Sequence, residues 1–279
     1  TKTDYSKYGI RKDNEYVVKG EAGSPYAIKD YYDIDPDLAE DPSTRMQEFE
    51  ALVTRTHEVG LKVVLDFVPN HVARQYHSDT APEGVDDLGA HDNKEMHFSP
   101  SNNFYYIPRQ AFTPQFYIGE GEDRYFEYPA KATGNDCFGA FPGEYDWYET
   151  VKLNYGVDYT GGGRCHFDPI PDTWYKMLDI LLFWCGKGVD AFRCDMAHMV
   201  PVEFWNWAIS KVKENYPSVI FIAEIYDQAL YRVYIEKGKF DYLYDKVGLY
   251  DKLRGVLCHQ VSAAQLTYCW QSVDGIGGK

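Results

Sequence analysis

Four short runs rich in aliphatic, β-branched and aromatic residues punctuate the chain at 62–68, 189–193, 219–223 and 240–244. Runs of this length, apolar on both alternating faces, predict strands buried on both sides, as in a parallel sheet. Between them the hydrophobic period becomes helical. Asp41-Pro42 opens a helix through Met46, Phe49, Leu52, Val53 and Thr56, and Gly60 stops it. Further helical patterns cover 172–185, closed by Gly186-Lys187-Gly188, then 201–216, 227–236, 249–257 and 262–270. Strand and helix in alternation predict an α/β fold with a parallel sheet.

Between Asn70 and Asp172 the alternation stops for about a hundred residues rich in Gly, Pro, Asp and aromatics. A structureless loop of that length is incompatible with a compact domain, so the stretch is expected to be a folded insertion after the first strand. Phe104, Tyr105, Tyr106, Phe112, Phe116, Tyr117, Tyr125, Phe126, Tyr128, Trp147 and Tyr148 can supply its core.

Composition narrows the partners. The 279 residues carry a formal net charge of −15, against nucleic acid and anionic membrane surfaces, which require clustered Lys and Arg. No apolar run reaches the roughly 20 residues of a membrane span. The 25 tyrosines offer flat faces with a polar tip, suited to packing first and to a neutral sugar second. Six dispersed cysteines form no C-x-x-C pair and read mostly as buried thiols.

Acidic residues gather where strands end. The first run leads into Asp66-Phe67-Val68-Pro69-Asn70-His71, the second into Arg193-Cys194-Asp195, and the third into Ala223-Glu224. In parallel α/β folds the ligand site lies at the carboxyl ends of strands, so these groups converge on one face. Asp195 and Glu224 are one strand-helix-strand step apart. Neighbouring strands are about 4.8 Å apart, so the two carboxyls are expected at about 5 Å, the spacing for retaining glycoside cleavage. Arg193, two residues before Asp195, points to the same side and is expected to keep Asp195 ionised as a nucleophile. Burial behind the run 219–223 is expected to raise Glu224 toward a general acid. The rival reading of the three is a structural ion network.

Asp66-Phe67-Val68-Pro69-Asn70-His71, Gly188-Val189-Asp190-Ala191-Phe192-Arg193-Cys194-Asp195 and Phe221-Ile222-Ala223-Glu224 resemble, in order, three signature segments of the alpha-amylase family, glycoside hydrolase family 13. Gly23-Ser24-Pro25-Tyr26 with Asp30-Tyr31 resembles the loop that places a sugar-stacking tyrosine ahead of the first segment. The resemblance implies a (β/α)8 TIM barrel with an irregular inserted domain after strand 3. It implies Asp195 as nucleophile, Glu224 as acid/base and Arg193 as the nucleophile's partner. Tyr26 becomes the stacking platform, His71 a donor to the sugar, and Asp66 and Asn70 organisers of the site's base. In the bland reading Asp66 and Asn70 cap the strand-to-loop turn. His198 suits either a rim contact to the leaving-group sugar or a solvated helix start. The implied substrate is an α-glucan or maltooligosaccharide, and the implied reaction is α-1,4-glucan hydrolysis by double displacement. Transfer to a second sugar and exo-action use the same residues, and a non-catalytic sugar-binding or scaffold relative is the rival from another class.

The sequence departs from the family pattern in two places. It has no Asn-His-Asp tripeptide, the family's third-carboxylate segment after strand 7. Removing the insertion leaves about 180 residues where a barrel takes about 250. The expectation is therefore an internal segment holding about strands 3 to 6. Residues 1–71 and 172–279 would be barrel parts and 72–171 the insertion. Many family members also bind calcium through the Asn of the first segment. Lys152, in Val151-Lys152-Leu153-Asn154, stands where their acidic ligand would be, so no metal is expected, Asn70 being the candidate ligand otherwise.

Other patterns carry less. Asp33-x-Asp35-x-Asp37 lacks the Gly and Glu of a calcium loop, and Gly161-Gly162-Gly163 reads as a turn. His71/His77 and His91/His97 lack zinc spacing, and no Gly-x-Ser-x-Gly is present. Compartment and oligomeric state leave no mark in the sequence.

Overall fold

In chain order, the computed structural model forms helix α1 (Arg45–Glu58), strands β1 (Val64–Phe67), β2 (His71–Ala73), β3 (Tyr106–Ile107), β4 (Ala130–Lys131), β5 (Thr150–Lys152), β6 (Val157–Asp158) and β7 (Arg164–Cys165), helix α2 (Asp172–Gly186), strand β8 (Ala191–Cys194), helix α3 (Val202–Asn215), strand β9 (Ile220–Glu224), helix α4 (Tyr231–Glu236), strand β10 (Tyr242–Tyr244), and helices α5 (Asp251–Leu257) and α6 (Leu266–Val273). Residues 2–276 are described. Two units emerge, Thr1–Gly60 with Asn70–Lys187, and Leu61–Pro69 with Gly188–Lys279.

The second unit holds the predicted sheet. Its strand order is β1-β8-β9-β10, all neighbours parallel, with Asp66 opposite Arg193, Cys194 opposite Ala223 and Tyr244 opposite Glu224. Helix α3 lays one stripe, Phe204, Trp205, Ala208, Ile209 and Val212, fully out of water, the spacing of an amphipathic helix. Trp205 packs against Phe240 with ring centroids 4.8 Å apart and edge-on to Phe67 at 6.4 Å, tying the helix to the sheet.

Burial on both faces, expected for all four strands, holds only in the middle of the sheet. Phe192 and Phe221 on the central strands are fully buried, whereas Val64 on β1 and Tyr242 on β10 are about half exposed (51% and 52%). Both sit on edge strands, which have a neighbour on one side only.

In the first unit, α1 is preceded by a tight turn at Pro42–Thr44 that Asp41 caps by accepting from Ser43 N–H. Gly60, at φ +75, closes the helix in the left-handed conformation that glycine adopts without strain. Trp184 of α2 packs edge-on against Phe49 of α1 and donates its indole N–H to the Tyr31 carbonyl at 2.7 Å. The stretch 70–171 is folded around antiparallel pairs β2·β5, β3·β4 and β6·β7. Phe112, Tyr125, Ile107, Ile118, Ala130 and Ala140 form a core with Phe116 and Tyr148 packed on it, and Val17 from the N-terminal stretch enters the same core. Phe104, Tyr105 and Tyr106 are buried, while Tyr117, Phe126 and Tyr128 face outward. Gly161–Gly163 is the turn of the β6·β7 hairpin. Cys185, Cys194 and Cys269 are buried, whereas Cys165 and Cys258 are exposed.

Candidate active site

The second unit gathers four of the candidate residues at the carboxyl ends of its strands. Asp195 follows the last residue of β8, and its backbone N–H donates to the Phe67 carbonyl at 2.8 Å, extending the β1·β8 pairing. The Arg193 guanidinium bridges three carboxylates. Its Nη1 lies 2.8 Å from both Asp66 Oδ1 and Asp195 Oδ1, and its Nη2 lies 2.7 Å from Glu224 Oε1. Nη2 also donates to the Tyr244 hydroxyl at 2.8 Å. Asp195 and Glu224 are nearly buried, at 6% and 5% exposure, while Asp66 is open to solvent on one side.

One guanidinium cannot neutralise three carboxylates, so one carboxyl keeps a proton near neutrality. Burial, then the charge of Glu224, push Asp195 up to about 7 against the pull of Arg193. Burial also acts to raise Glu224, but hydrogen bonds from Tyr244, the Met196 N–H and Tyr226, with the Arg193 charge, outweigh it and leave Glu224 below its ordinary value. The order is the reverse of the sequence expectation. Periodicity placed Arg193 beside Asp195 but left out that the same cation reaches Glu224, and that three further donors converge on Glu224 alone.

Two of those donors come from the loops after the strands. Met196, in the left-handed region at φ +45, directs its N–H to Glu224 Oε2 at 3.0 Å. Tyr226 O–H donates to Glu224 Oε1 at 2.8 Å. The His198 ring stands edge-on to Tyr226 at 6.1 Å, with its Nδ1 buried and without a hydrogen-bond partner. The indole N–H of Trp205 donates to the Ala197 carbonyl at 3.0 Å and braces the turn that carries Met196.

The first unit groups Asn70, His71 and Tyr26. Asn70 and His71 are buried, and Tyr26 is 40% exposed. The Asn70 amide nitrogen donates to the Gly134 carbonyl at 2.8 Å and lies 3.1 Å from His71 Nδ1. Burial, then the positive charge of Lys152, lower His71 to about 4, so the ring is neutral at ordinary pH. The ring packs against Trp147, with centroids 5.3 Å apart. The Lys152 ammonium donates to Asn70 Oδ1 and sits 2.7 Å from Asp136 Oδ1. A carbonyl oxygen already accepting from an ammonium is a poor ligand for a divalent cation, so the donors around Asn70 do not fit calcium. A cavity of about 300 Å³ adjoins the Tyr26 loop, lined by Gly23, Ser24, Pro25 and Glu149 among others. Of its carboxylates, Asp13, Asp33 and Asp79 are ion-paired to Lys29, Arg45 and Arg11.

Residues 17–131 match the family model described as the alpha amylase catalytic domain. A crystal structure of an alpha-amylase from Lactobacillus plantarum superposes over 95% of this chain and 49% of its own, with a TM-score of 0.58 and 25% identity. Over residues 17–131 the chain is similar to the alpha-amylase family. An alpha-1,4-glucan:maltose-1-phosphate maltosyltransferase from Cereibacter sphaeroides is 36% identical over 107 residues, covering 36% of this chain and 18% of the relative. The cyclic alpha-maltosyl-(1→6)-maltose hydrolase of Arthrobacter globiformis shares the fold, with a TM-score of 0.60 at 18% identity over 92% of this chain and 47% of that one. The chain thus spans about a fifth of the curated relative and about half of each solved structure. The fold of these alpha-amylase relatives is a (β/α)8 barrel, and the four-stranded parallel sheet fits it.

Sequence reading missed Tyr226, Tyr244 and the Met196 N–H. Tyr244 was legible, because it ends the fourth strand run and the strand-end rule that selected Glu224 applies to it equally. The Met196 contribution is a backbone group and carries no side-chain signature.

Proposed function

We propose that the protein containing this chain is a retaining enzyme acting on α-1,4-glucans, with Asp195 as nucleophile and Glu224 as acid/base. The observation that carries the reading is the Arg193 bridge, which brings Asp195 and Glu224 onto one cation at the ends of adjacent strands. In the first step Glu224 gives its proton to the glycosidic oxygen while the Asp195 carboxylate attacks the anomeric carbon, leaving a glycosyl ester on Asp195. In the second step Glu224 takes a proton from an incoming hydroxyl, which displaces Asp195 and restores the carboxylate. The resting order of affinities places the shared proton toward Asp195. The first step therefore needs that proton to pass to Glu224 when substrate displaces the water around the pair.

Tyr26 stacks on the sugar, His71 donates to it, Asp66 holds Arg193 in place, and His198 meets the leaving-group sugar. We further propose that the barrel continues beyond these residues, a reading supported by the exposed Val64 and Tyr242 on the two edge strands. Residues 72–171 would be its insertion, between barrel parts at 1–71 and 172–279. Activity is proposed to need no calcium at Asn70, supported by the ammonium already there.

Water and a sugar hydroxyl are equivalent acceptors for the second step. Hydrolysis is the primary reading. Maltosyl transfer is the second, favoured by the maltosyltransferase whose segment is 36% identical. The test is the Glu224→Gln change in the full-length protein, assayed on maltooligosaccharides with and without maltose-1-phosphate. The expected loss is about 10²–10⁴-fold, and a rate within tenfold of wild type removes the acid/base assignment.

A further inference from the structure

Lys152 itself has no part in the chemical steps above, yet every polar group around it is directional. Lys152 lies directly opposite His71 in the β2·β5 pair and is 2% exposed. An ammonium has donors only. Its contact with Asn70 therefore fixes which end of that amide is oxygen, an assignment that is otherwise ambiguous. With Oδ1 on Lys152, the Asn70 NH2 is turned to the Gly134 carbonyl and to His71 Nδ1. A ring nitrogen facing a donor must be bare.

A second contact of the ring gives a further constraint. His71 also hydrogen-bonds the backbone carbonyl of Tyr26, which can only accept. One ring nitrogen must carry a proton, and with Nδ1 bare that nitrogen is Nε2. The cluster has no slack to reorganise. Asp136 holds the ammonium at 2.7 Å, and a Cβ at Gly134 would come within 2.5 Å of Thr150 Oγ1 and 2.8 Å of His71 Cβ.

We propose that Lys152 is a positioning residue that acts through Asn70 to hold His71 in the neutral Nε2–H tautomer, presenting the ring's one N–H to the Tyr26 loop. Its bearing on catalysis rests on the reading of Tyr26 as the sugar's stacking platform, since the N–H that His71 gives to the Tyr26 carbonyl must be released or shared if it is also to reach the sugar; the tautomer itself does not. Without the ammonium the Asn70 amide is free to turn its oxygen to Nδ1, which moves the proton to Nδ1 and leaves a bare nitrogen facing a carbonyl.

The test is a long-range ¹H–¹⁵N spectrum of the His71 imidazole in the labelled full-length protein, without sugar. A single tautomer with a bare Nδ1 is expected, and a protonated Nδ1 in the wild type overturns the proposal. Lys152→Met is expected to populate the Nδ1–H form and to raise KM for maltooligosaccharides at least fivefold with a smaller change in kcat. An unchanged spectrum in that variant overturns the role of Lys152. If Lys152→Met does not fold, Asn70→Asp decides. A carboxylate can only accept, so Nδ1 must then become protonated, and a bare Nδ1 there overturns the relay. A wild type with the expected tautomer but no action on glucans supports the relay while removing the sugar-binding reading.

Discussion

Arg193 reaches Asp66, Asp195 and Glu224 at once, and that geometry makes Asp195 a liability to the folded state as well as the proposed nucleophile. Its carboxyl is raised from 3.8 to about 7, by burial first and by Glu224 second. Between those values the folded chain holds a proton that the unfolded chain has lost, so this group lowers stability progressively as pH rises from about 4 to 7, and most above 7. Asp195→Asn removes the ionisable group while keeping a hydrogen-bonding side chain. The variant is expected to melt higher than wild type at pH 8 and close to it at pH 4, by paired thermal melts. A variant less stable at pH 8 contradicts the assignment. The carboxyls and Arg193 were legible because period two and strand ends locate them. The direction of their affinities was not, since it depends on Tyr226, Tyr244 and the Met196 N–H, which the loops bring in from outside the motif.

At the scale of elements, helix α3 does more than cover the sheet. Trp205 packs on Phe67 and Phe240 and holds the Ala197 carbonyl, one residue beyond the Met196 N–H that binds Glu224. Trp205→Phe keeps an aromatic ring there but removes the indole N–H. The expected cost is about 1–2 kcal/mol from the lost hydrogen bond and reduced packing, with a several-fold fall in kcat as the turn loosens. Denaturant melts and steady-state rates check both, and unchanged values in each contradict the bracing role. The helices themselves were legible in their apolar stripes, but several start later than the pattern suggested. Asp41 and Asp227 cap short 3₁₀ turns that precede α1 and α4, and cap chemistry of this kind mimics a helix start. Strand β1 read as buried because Val63, Val64 and Leu65 are apolar; composition does not reveal whether a strand lies in the middle of a sheet or at its edge.

For the whole molecule, the order of the motifs carried the resemblance to the alpha-amylase family, and the parallel order β1-β8-β9-β10 agrees with it. The grouping of residues into units was less legible. Val17 packs into the core of the irregular stretch, and β2 straddles the sequence boundary at 71/72 while pairing with β5. Such contacts join segments far apart in sequence and leave no local period. The central claim, a covalent intermediate on Asp195 with Glu224 as its acid/base, is tested most directly by trapping. The full-length protein is incubated with a 5-fluoro-α-maltosyl fluoride and the labelled peptide is located by mass spectrometry. The account predicts a single maltosyl ester on Asp195, which persists longer in Glu224→Gln because fluoride leaves without a general acid while the second step has lost its base. A label on any other residue, or turnover with no covalent adduct, contradicts it.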